Sequence, residues 1–134
     1  MRLKLLLLAA IAGLLLPVTS ALAHHSFTAE YDAKKSISLT GVVTKVEWMN
    51  PHVFFYIDVK DPDGKVTNWR GEGGNLSGLM RRGWRKDSLK VGEIVTIEGS
   101  LAKNGQPLVN ARSVTLADGK RLFAGSSGGD EAPQ

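Results

Sequence analysis

The chain of 134 residues contains no cysteine. This absence excludes disulfide bonds, thiolate metal ligands and thiol redox chemistry, so the fold must be held together by its hydrophobic core. The sequence also has no Gly-x-Ser-x-Gly, His-Glu-x-x-His or phosphate-loop motif. The enzyme classes that depend on those motifs are therefore not indicated. Catalysis stays an open question, and a non-enzymatic role is favoured.

The sequence also lacks an apolar run long enough to span a membrane. Its longest, residues 5–16, has 12 residues, whereas a spanning helix needs about 20. Arg2 and Lys4 precede this run, and small residues follow it up to Ala23. This order is typical of a secretory signal peptide. We predict a signal over residues 1–23, cleaved after Ala23, and a mature protein without a membrane anchor in the periplasm or outside the cell.

The excess of positive charge is small in the predicted mature chain. The precursor has 17 basic and 13 acidic residues, and removal of Arg2 and Lys4 leaves a formal net charge of about +2. A charge of this size does not indicate a polyanion, so no nucleic-acid partner is expected. One basic cluster follows Met80 and surrounds Trp84: Arg81, Arg82, Arg85, Lys86 and Lys90. We interpret it as a solvated face that Trp84 anchors to the core.

The 111 residues after Ala23 are a length typical of one domain with a modest core. Residues 24–35 show no clear period and are predicted to form an N-terminal arm. Residues 36–124 are predicted to form the domain, and the Gly/Ser-rich residues 125–134 a disordered tail.

Within the domain, short segments rich in β-branched residues alternate with turn signals. Residues 52–60 have the clearest period of two, which predicts a strand with Val53, Phe55, Ile57 and Val59 facing the core. Further strands are predicted at residues 37–49, 65–70, 93–101, 108–116 and 120–123. The first of these should contain a bulge or sharp coil at Gly41. In the 93–101 strand, Val95, Ile97 and Leu101 should lie on one side. Turns are predicted at residues 61–64 and at Asn104-Gly105.

The glycine-rich residues 71–74 are predicted to break the third strand, with Glu72 as a carboxylate in the break. Asn75 can cap a short helix through Leu76, Leu79 and Met80 that stops at Gly83. Three strands, a short helix and further strands are the order of an all-β, OB-like Greek-key barrel. A two-sheet β-sandwich is the alternative.

The histidines supply the candidate metal ligands. Cleavage after Ala23 would give His24 a free amine that chelates a metal together with its own imidazole. His25 and His52, the only other histidines, are further candidates. An all-nitrogen set favours copper. Met49 is a less favoured ligand than the histidines, because Trp48 and Met49 are interpreted first as core residues. For His24 and His25, the alternative to a metal site is a solvated N-terminus without a ligand.

A second candidate site is an aromatic strand face. Phe54 and Tyr56 should lie beside His52 on the side of the strand away from the core, where OB barrels commonly bind extended ligands. Arg81 and Arg82 are candidates for holding a carboxylate or phosphate there. The helix, the arm or a partner chain covering these rings is the structural alternative.

Three hypotheses follow for the function. The first is a periplasmic binding protein that captures copper through His24, with His25 or His52. The second is an accessory module that binds an extended organic ligand or a periplasmic partner protein through Phe54, Tyr56, Arg81 and Arg82. The third, ranked last, is a copper-dependent oxidase that uses the same histidines.

The chain resembles the small exported bacterial proteins of domain-of-unknown-function family 6152. The residues that carry the resemblance are the HHSF start at His24, the Trp48-x-Asn50-Pro51-His52 motif, the RRGW segment that ends at Trp84, and the SLKVGE segment. The resemblance implies a periplasmic β-barrel and assigns no reaction.

Overall fold

A computed structural model describes residues 27–125 of the chain. Residues 27–30 are helical. They lead into six strands and one short helix: β1 (Tyr31–Trp48), β2 (His52–Lys60), β3 (Val66–Asn75), α1 (Leu76–Arg81), β4 (Ile94–Ala102), β5 (Leu108–Leu116) and β6 (Arg121–Phe123). Within the described range, no helix is both long and apolar enough to cross a bilayer.

The sheet closes into a ring. The long strand β1 pairs antiparallel with β2 along one part and with β4 along another, β2 continues to β3, and β4 continues to β5. A parallel pairing of β3 with β5, from Arg70 opposite Leu108 to Glu72 opposite Asn110, joins the two ends. β6 extends the sheet beyond β5. The predicted all-β, OB-like order with a helix between β3 and β4 is confirmed as a closed-ring sheet, although the ring is less regular than an ideal barrel.

The hydrophobic core lies inside this ring. As the period-two pattern of β2 predicts, Val53, Phe55 and Ile57 are fully buried, and Val59 packs against them while partly exposed. The predicted turn after β2 is also confirmed, since the Gly64 amide donates to the Asp61 carbonyl at 3.0 Å. Burial of large apolar side chains is the main favourable term for a chain without disulfides.

The helix α1 and the turn after it close one end of the core. The Asn75 side chain caps α1 by accepting from the Gly78 amide at 2.7 Å, as its position predicts. Trp84 is 1% exposed, and its indole N–H donates to the Phe123 carbonyl at 2.8 Å. The predicted anchoring role of Trp84 is therefore confirmed. Met80 is an exception to the predicted apolar face, because it is 52% exposed.

Two predictions about β1 are wrong. The strand begins at Tyr31 rather than at residue 37, because residues assigned to the arm pair with the end of β4, Tyr31 opposite Ala102. The bulge expected at Gly41 lies instead between Val43 and Lys45. Gly41 is needed for a close approach of strands: a Cβ there would lie 2.4 Å from the Asp58 carbonyl oxygen.

The predicted glycine break at residues 71–74 is also wrong, because β3 runs through it. Gly71 faces the core under the Phe55 ring, where an added Cβ would lie 2.3 Å from a ring carbon. Glycine here makes room for an aromatic side chain instead of ending a strand.

A bulge also changes the predicted faces of β4. The pairing with β5 shifts register between Glu98 and Gly99. Beyond that point the alternation is reversed, so that Ser100 and Ala102 are buried while Leu101, expected beside Ile97 in the core, is partly exposed.

Candidate functional site

The candidate site lies on the outer face of strands β2 and β3. Phe54 pairs with Glu72, and Tyr56 pairs with Arg70, across the two strands. Side chains of directly paired residues lie on the same face of a sheet. The predicted aromatic face of Phe54 and Tyr56 therefore carries a carboxylate and a guanidinium as well.

A bulge in β3 positions His52 at the end of this face. Between the pairs Phe54–Glu72 and His52–Asn75, β3 contains one residue more than β2. The imidazole Nδ1 of His52 lies 2.9 Å from Glu72 Oε1 and 3.1 Å from the Gly73 carbonyl oxygen. Glu72 is the more buried partner, with a side chain 15% exposed against 33% for His52. One edge of the His52 ring is thus fixed and the ring still reaches solvent.

Tyr31 completes a three-residue network through the same carboxylate. Its hydroxyl donates to Glu72 Oε2 at 2.6 Å, so the two oxygens of Glu72 contact Tyr31 and His52 separately. Tyr31 is only 3% exposed. Burial, and then the hydrogen bond to Glu72, raises the pKa of the Tyr31 hydroxyl well above its ordinary value. Tyr31 is consequently a neutral hydrogen-bond donor at physiological pH.

The chain just before Tyr31 is attached to the same side of the molecule. The Phe27 ring stacks on the Tyr31 ring with centroids 5.9 Å apart. The Lys103 amide donates to the Glu30 carbonyl at 2.9 Å, and the Lys103 ammonium donates to the Thr28 carbonyl. Residues 27–31 are therefore held against the domain by ring packing and by hydrogen bonds to the β4–β5 turn.

Each aromatic ring of the predicted ligand face already has a cationic neighbour. The Arg70 guanidinium lies 5.1 Å from the Phe54 ring centroid, on a ring that also stacks with His52. The Lys45 ammonium lies 5.3 Å from the centroid of Tyr56. These contacts cover part of both rings, so the face differs from the bare stacking platform that extended ligands use.

A second tyrosine–glutamate pair lies farther along this face. The Tyr56 hydroxyl donates to Glu47 Oε2 at 3.0 Å, and Lys45 forms an ion pair with the same carboxylate. Hydrogen bonds from Lys45 and Tyr56 hold the pKa of Glu47 below its ordinary value. This pair resembles Tyr31–Glu72 in chemistry but has no histidine partner recorded among the described contacts.

Arg70 carries an unusual polar atom. Its Nε is buried and has no hydrogen-bond partner among residues 27–125. A guanidinium stacked on an aromatic ring is a group that can bind a carboxylate or phosphate.

The other predicted site residues are spread over the molecule. His24 and His25 lie outside the described residues. Met49 is 49% exposed in the turn between β1 and β2, so its interpretation as a core residue is wrong. Trp48 does pack against the core, with its ring edge-on to Trp84 at 6.4 Å.

The two arginines predicted to bind a ligand lie at the C-terminal end of α1. Both are exposed. Arg82 lies over the Phe123 ring, 4.1 Å from its centroid.

Residues 27–125 contain no group of three or more His, Asp or Glu side chains that would hold a metal ion. His52 and Glu72 form a pair only.

No sequence pattern indicates Tyr31 or Arg70 as site residues. Arg70 followed Trp69 at the end of a predicted strand, and the alternation of β3 was the signal that would have paired it with Tyr56. Tyr31 had no such signal, because its partner Glu72 is 41 residues away.

A family model described as a family of unknown function, DUF6152, matches residues 13–109. The chain belongs to this family. The DUF6152 match runs from before the predicted cleavage point into β5, so it includes His24, His25, Tyr31, His52 and Glu72. A comparison with curated proteins finds no match. The DUF6152 assignment confirms the resemblance and names no activity.

Proposed function

We propose that this DUF6152 protein is an exported copper-binding protein whose site is formed by His24 and His52. Processing after Ala23 makes His24 the first residue, and its amine and imidazole then chelate one Cu(II) ion. His52 supplies an imidazole from the folded domain, and His25 is a neighbouring donor. The site acts in the periplasm or outside the cell.

The network through Glu72 is the single observation that carries this proposal. Glu72 contacts Tyr31 with one oxygen and His52 with the other. Phe27 stacks on Tyr31, and His24 precedes Phe27 by three residues, which span at most about 10 Å. This short separation in sequence supports the proposal that His24 and His52 bind the same ion.

The available donor atoms favour copper over other divalent metals. The chain has no thiolate to offer, and no carboxylate cluster of the kind that holds calcium or magnesium is present among residues 27–125. Amine and imidazole nitrogens have reference pKa values near 8 and 6.5, so both bind metal at neutral pH. For nitrogen sites, Cu(II) heads the affinity order of the divalent first-row ions.

Copper titration of the exported, processed protein tests this proposal. Protein isolated from culture medium or periplasm should begin at His24 by mass spectrometry and should bind one equivalent of Cu(II) with nitrogen couplings in its electron paramagnetic resonance spectrum. His24→Ala should weaken binding by at least about 100-fold. A matched control carries four additional alanines before an intact His24, which moves the terminal amine away from both His24 and His25 while keeping all three histidines.

The control should lose nearly as much affinity as His24→Ala. Equal copper affinity in the wild type, His24→Ala and the extended protein would contradict the proposal, as would a native N-terminus at any other residue.

An accessory protein that binds an organic ligand is the second candidate function. The observation in its favour is the Arg70 guanidinium stacked on the Phe54 ring, 5.1 Å from the ring centroid. A carboxylate on the ligand or partner would satisfy this guanidinium while contacting Phe54 and Tyr56. Phe54→Ala and Tyr56→Ala should then abolish capture of the partner. Tyr56→Ala leaves the stacking of Phe54 on His52 in place, so it should also leave copper affinity unchanged. Unchanged capture in both variants would contradict this second function. Copper oxidase activity ranks third.

A further inference from the structure

The proposed copper site leaves open which nitrogen of His52 binds the metal, and the contacts of the ring decide this. Both atoms facing Nδ1, Glu72 Oε1 at 2.9 Å and the Gly73 carbonyl oxygen at 3.1 Å, are hydrogen-bond acceptors. The Gly73 carbonyl oxygen can only accept a hydrogen bond, so Nδ1 must be the donor in this contact. The proton of the neutral imidazole therefore lies on Nδ1, and the lone pair lies on Nε2.

We infer that Glu72 is a positioning residue that holds His52 in the Nδ1–H tautomer, so that Nε2 of His52 is the atom that binds the metal. Tyr31 in turn positions Glu72. The role of Glu72 in metal binding rests on the proposed copper site, whereas the tautomer of His52 rests on the hydrogen bonds alone. Neither Glu72 nor Tyr31 touches the metal in this arrangement.

The chemistry of metal-binding histidines supports the assignment. A carboxylate that accepts from the ring nitrogen opposite the metal orients the imidazole and makes it a better donor, and loss of such a partner typically costs 10-fold to 100-fold in metal affinity. Glu72 is suited to this role because its side chain is 15% exposed and both of its oxygens are engaged. A carboxylate held at two points has little freedom to turn away from His52.

Tyr31 adds a second effect that Glu72 alone does not supply. Its hydroxyl holds Oε2, which leaves Oε1 directed at His52. Its ring also stacks on Phe27, with the ring centroids 5.9 Å apart.

Glu47 gives a matched control for these residues. It is also a glutamate on the outer face that accepts from a tyrosine hydroxyl, Tyr56, at 3.0 Å. Its other recorded partner is Lys45 rather than a histidine. Replacement of Glu47 removes the same charge and the same type of hydrogen bond without affecting the Nδ1 edge of His52.

Nitrogen-15 NMR of the histidine rings tests the tautomer of the neutral imidazole in the metal-free protein at about pH 9. The wild type and Glu47→Met should show His52 with its proton on Nδ1. Glu72→Met should shift His52 toward the Nε2–H form, and Glu72→Gln, which keeps an oxygen acceptor, should restore much of the Nδ1–H signal. A proton on Nε2 in the wild type, or an unchanged spectrum in Glu72→Met, would overturn the inference.

Copper titration of the same proteins then tests the coupling to the metal. Glu72→Met and Tyr31→Phe should bind Cu(II) about 10-fold or more weakly, while Glu47→Met should match the wild type. Equal affinity in all four proteins, with copper bound, would overturn the positioning role. If the tautomer responds as expected but the wild type binds no copper, the proposed function fails while the assignment of the His52 tautomer stands.

Discussion

The Tyr31 hydroxyl donates a hydrogen bond of 2.6 Å to Glu72, a residue 41 positions later in the chain. The contact joins the first described strand to β3 and, through the other oxygen of Glu72, to His52 at the start of β2. The site is therefore assembled from three strands by one carboxylate.

Tyr31→Phe should destabilise the fold. The substitution leaves Glu72 Oε2 without its hydrogen-bond donor at a position that is largely shielded from solvent. A hydrogen bond to a charged group contributes about 1.5–3 kcal/mol to stability. We expect the free energy of unfolding in urea to fall by about 1–3 kcal/mol. Tyr56→Phe removes a hydroxyl from Glu47, whose side chain is 24% exposed against 15% for Glu72, so it should lower the free energy of unfolding by less than Tyr31→Phe does. A larger loss for Tyr56→Phe than for Tyr31→Phe would contradict this ranking.

Alkaline pH should destabilise the protein through Tyr31. The pKa of this hydroxyl is raised above its ordinary value of 10.0, first by burial and then by Glu72. Above pH 10 the unfolded state loses the Tyr31 proton while the folded state keeps it, so stability falls as pH rises. Below pH 10 this contribution is constant. Phenolate absorbance at high pH should show one tyrosine that ionises only as the protein unfolds, and this component should be absent in Tyr31→Phe.

Gly71→Ala should be costly because its Cβ would lie 2.3 Å from a carbon of the Phe55 ring. Overpacking of a core typically costs about 1–3 kcal/mol. Because the clash involves the Phe55 ring, a smaller side chain at position 55 should reduce the loss of stability. In a double-mutant cycle, Gly71→Ala should cost at least about 1 kcal/mol less in the Phe55→Leu background than in the wild type. Additive effects of the two substitutions would contradict this explanation for Gly71.

A protein that binds copper without turnover should not consume oxygen. With one equivalent of Cu(II) and excess ascorbate, we expect an oxygen-uptake rate no higher than that of the His24→Ala protein under identical conditions. An uptake that requires His24 and His52 and proceeds through many turnovers would favour the oxidase hypothesis over the binding role.

The sequence predicted the parts of this structure that local patterns determine. The alternation of residues 52–60 identified β2 and its buried residues Val53, Phe55 and Ile57, because one strand faces the core and solvent in turn. Asn75 marked the start of α1 for an equally local reason, the cap of its first turn.

The remaining features depend on residues distant in sequence. Gly71 was predicted to break a strand, since glycine gives the same signal for a turn as for close packing under a ring such as Phe55. Leu101 was assigned to the core because the register shift after Glu98 has no local signal. Tyr31 lies in a segment without a hydrophobic period, which predicts an arm. Its role depends on the pairing of β1 with β4, which places it against Glu72.

We propose that the N-terminal histidine and His52 bind the same copper ion. Pulsed electron paramagnetic resonance of the processed protein with one equivalent of Cu(II) counts the imidazoles on the metal through the modulation from their remote nitrogens. We expect His52→Ala to lose one imidazole relative to the wild type while the amine and imidazole of His24 stay bound. An identical modulation pattern in the wild type and His52→Ala would contradict it.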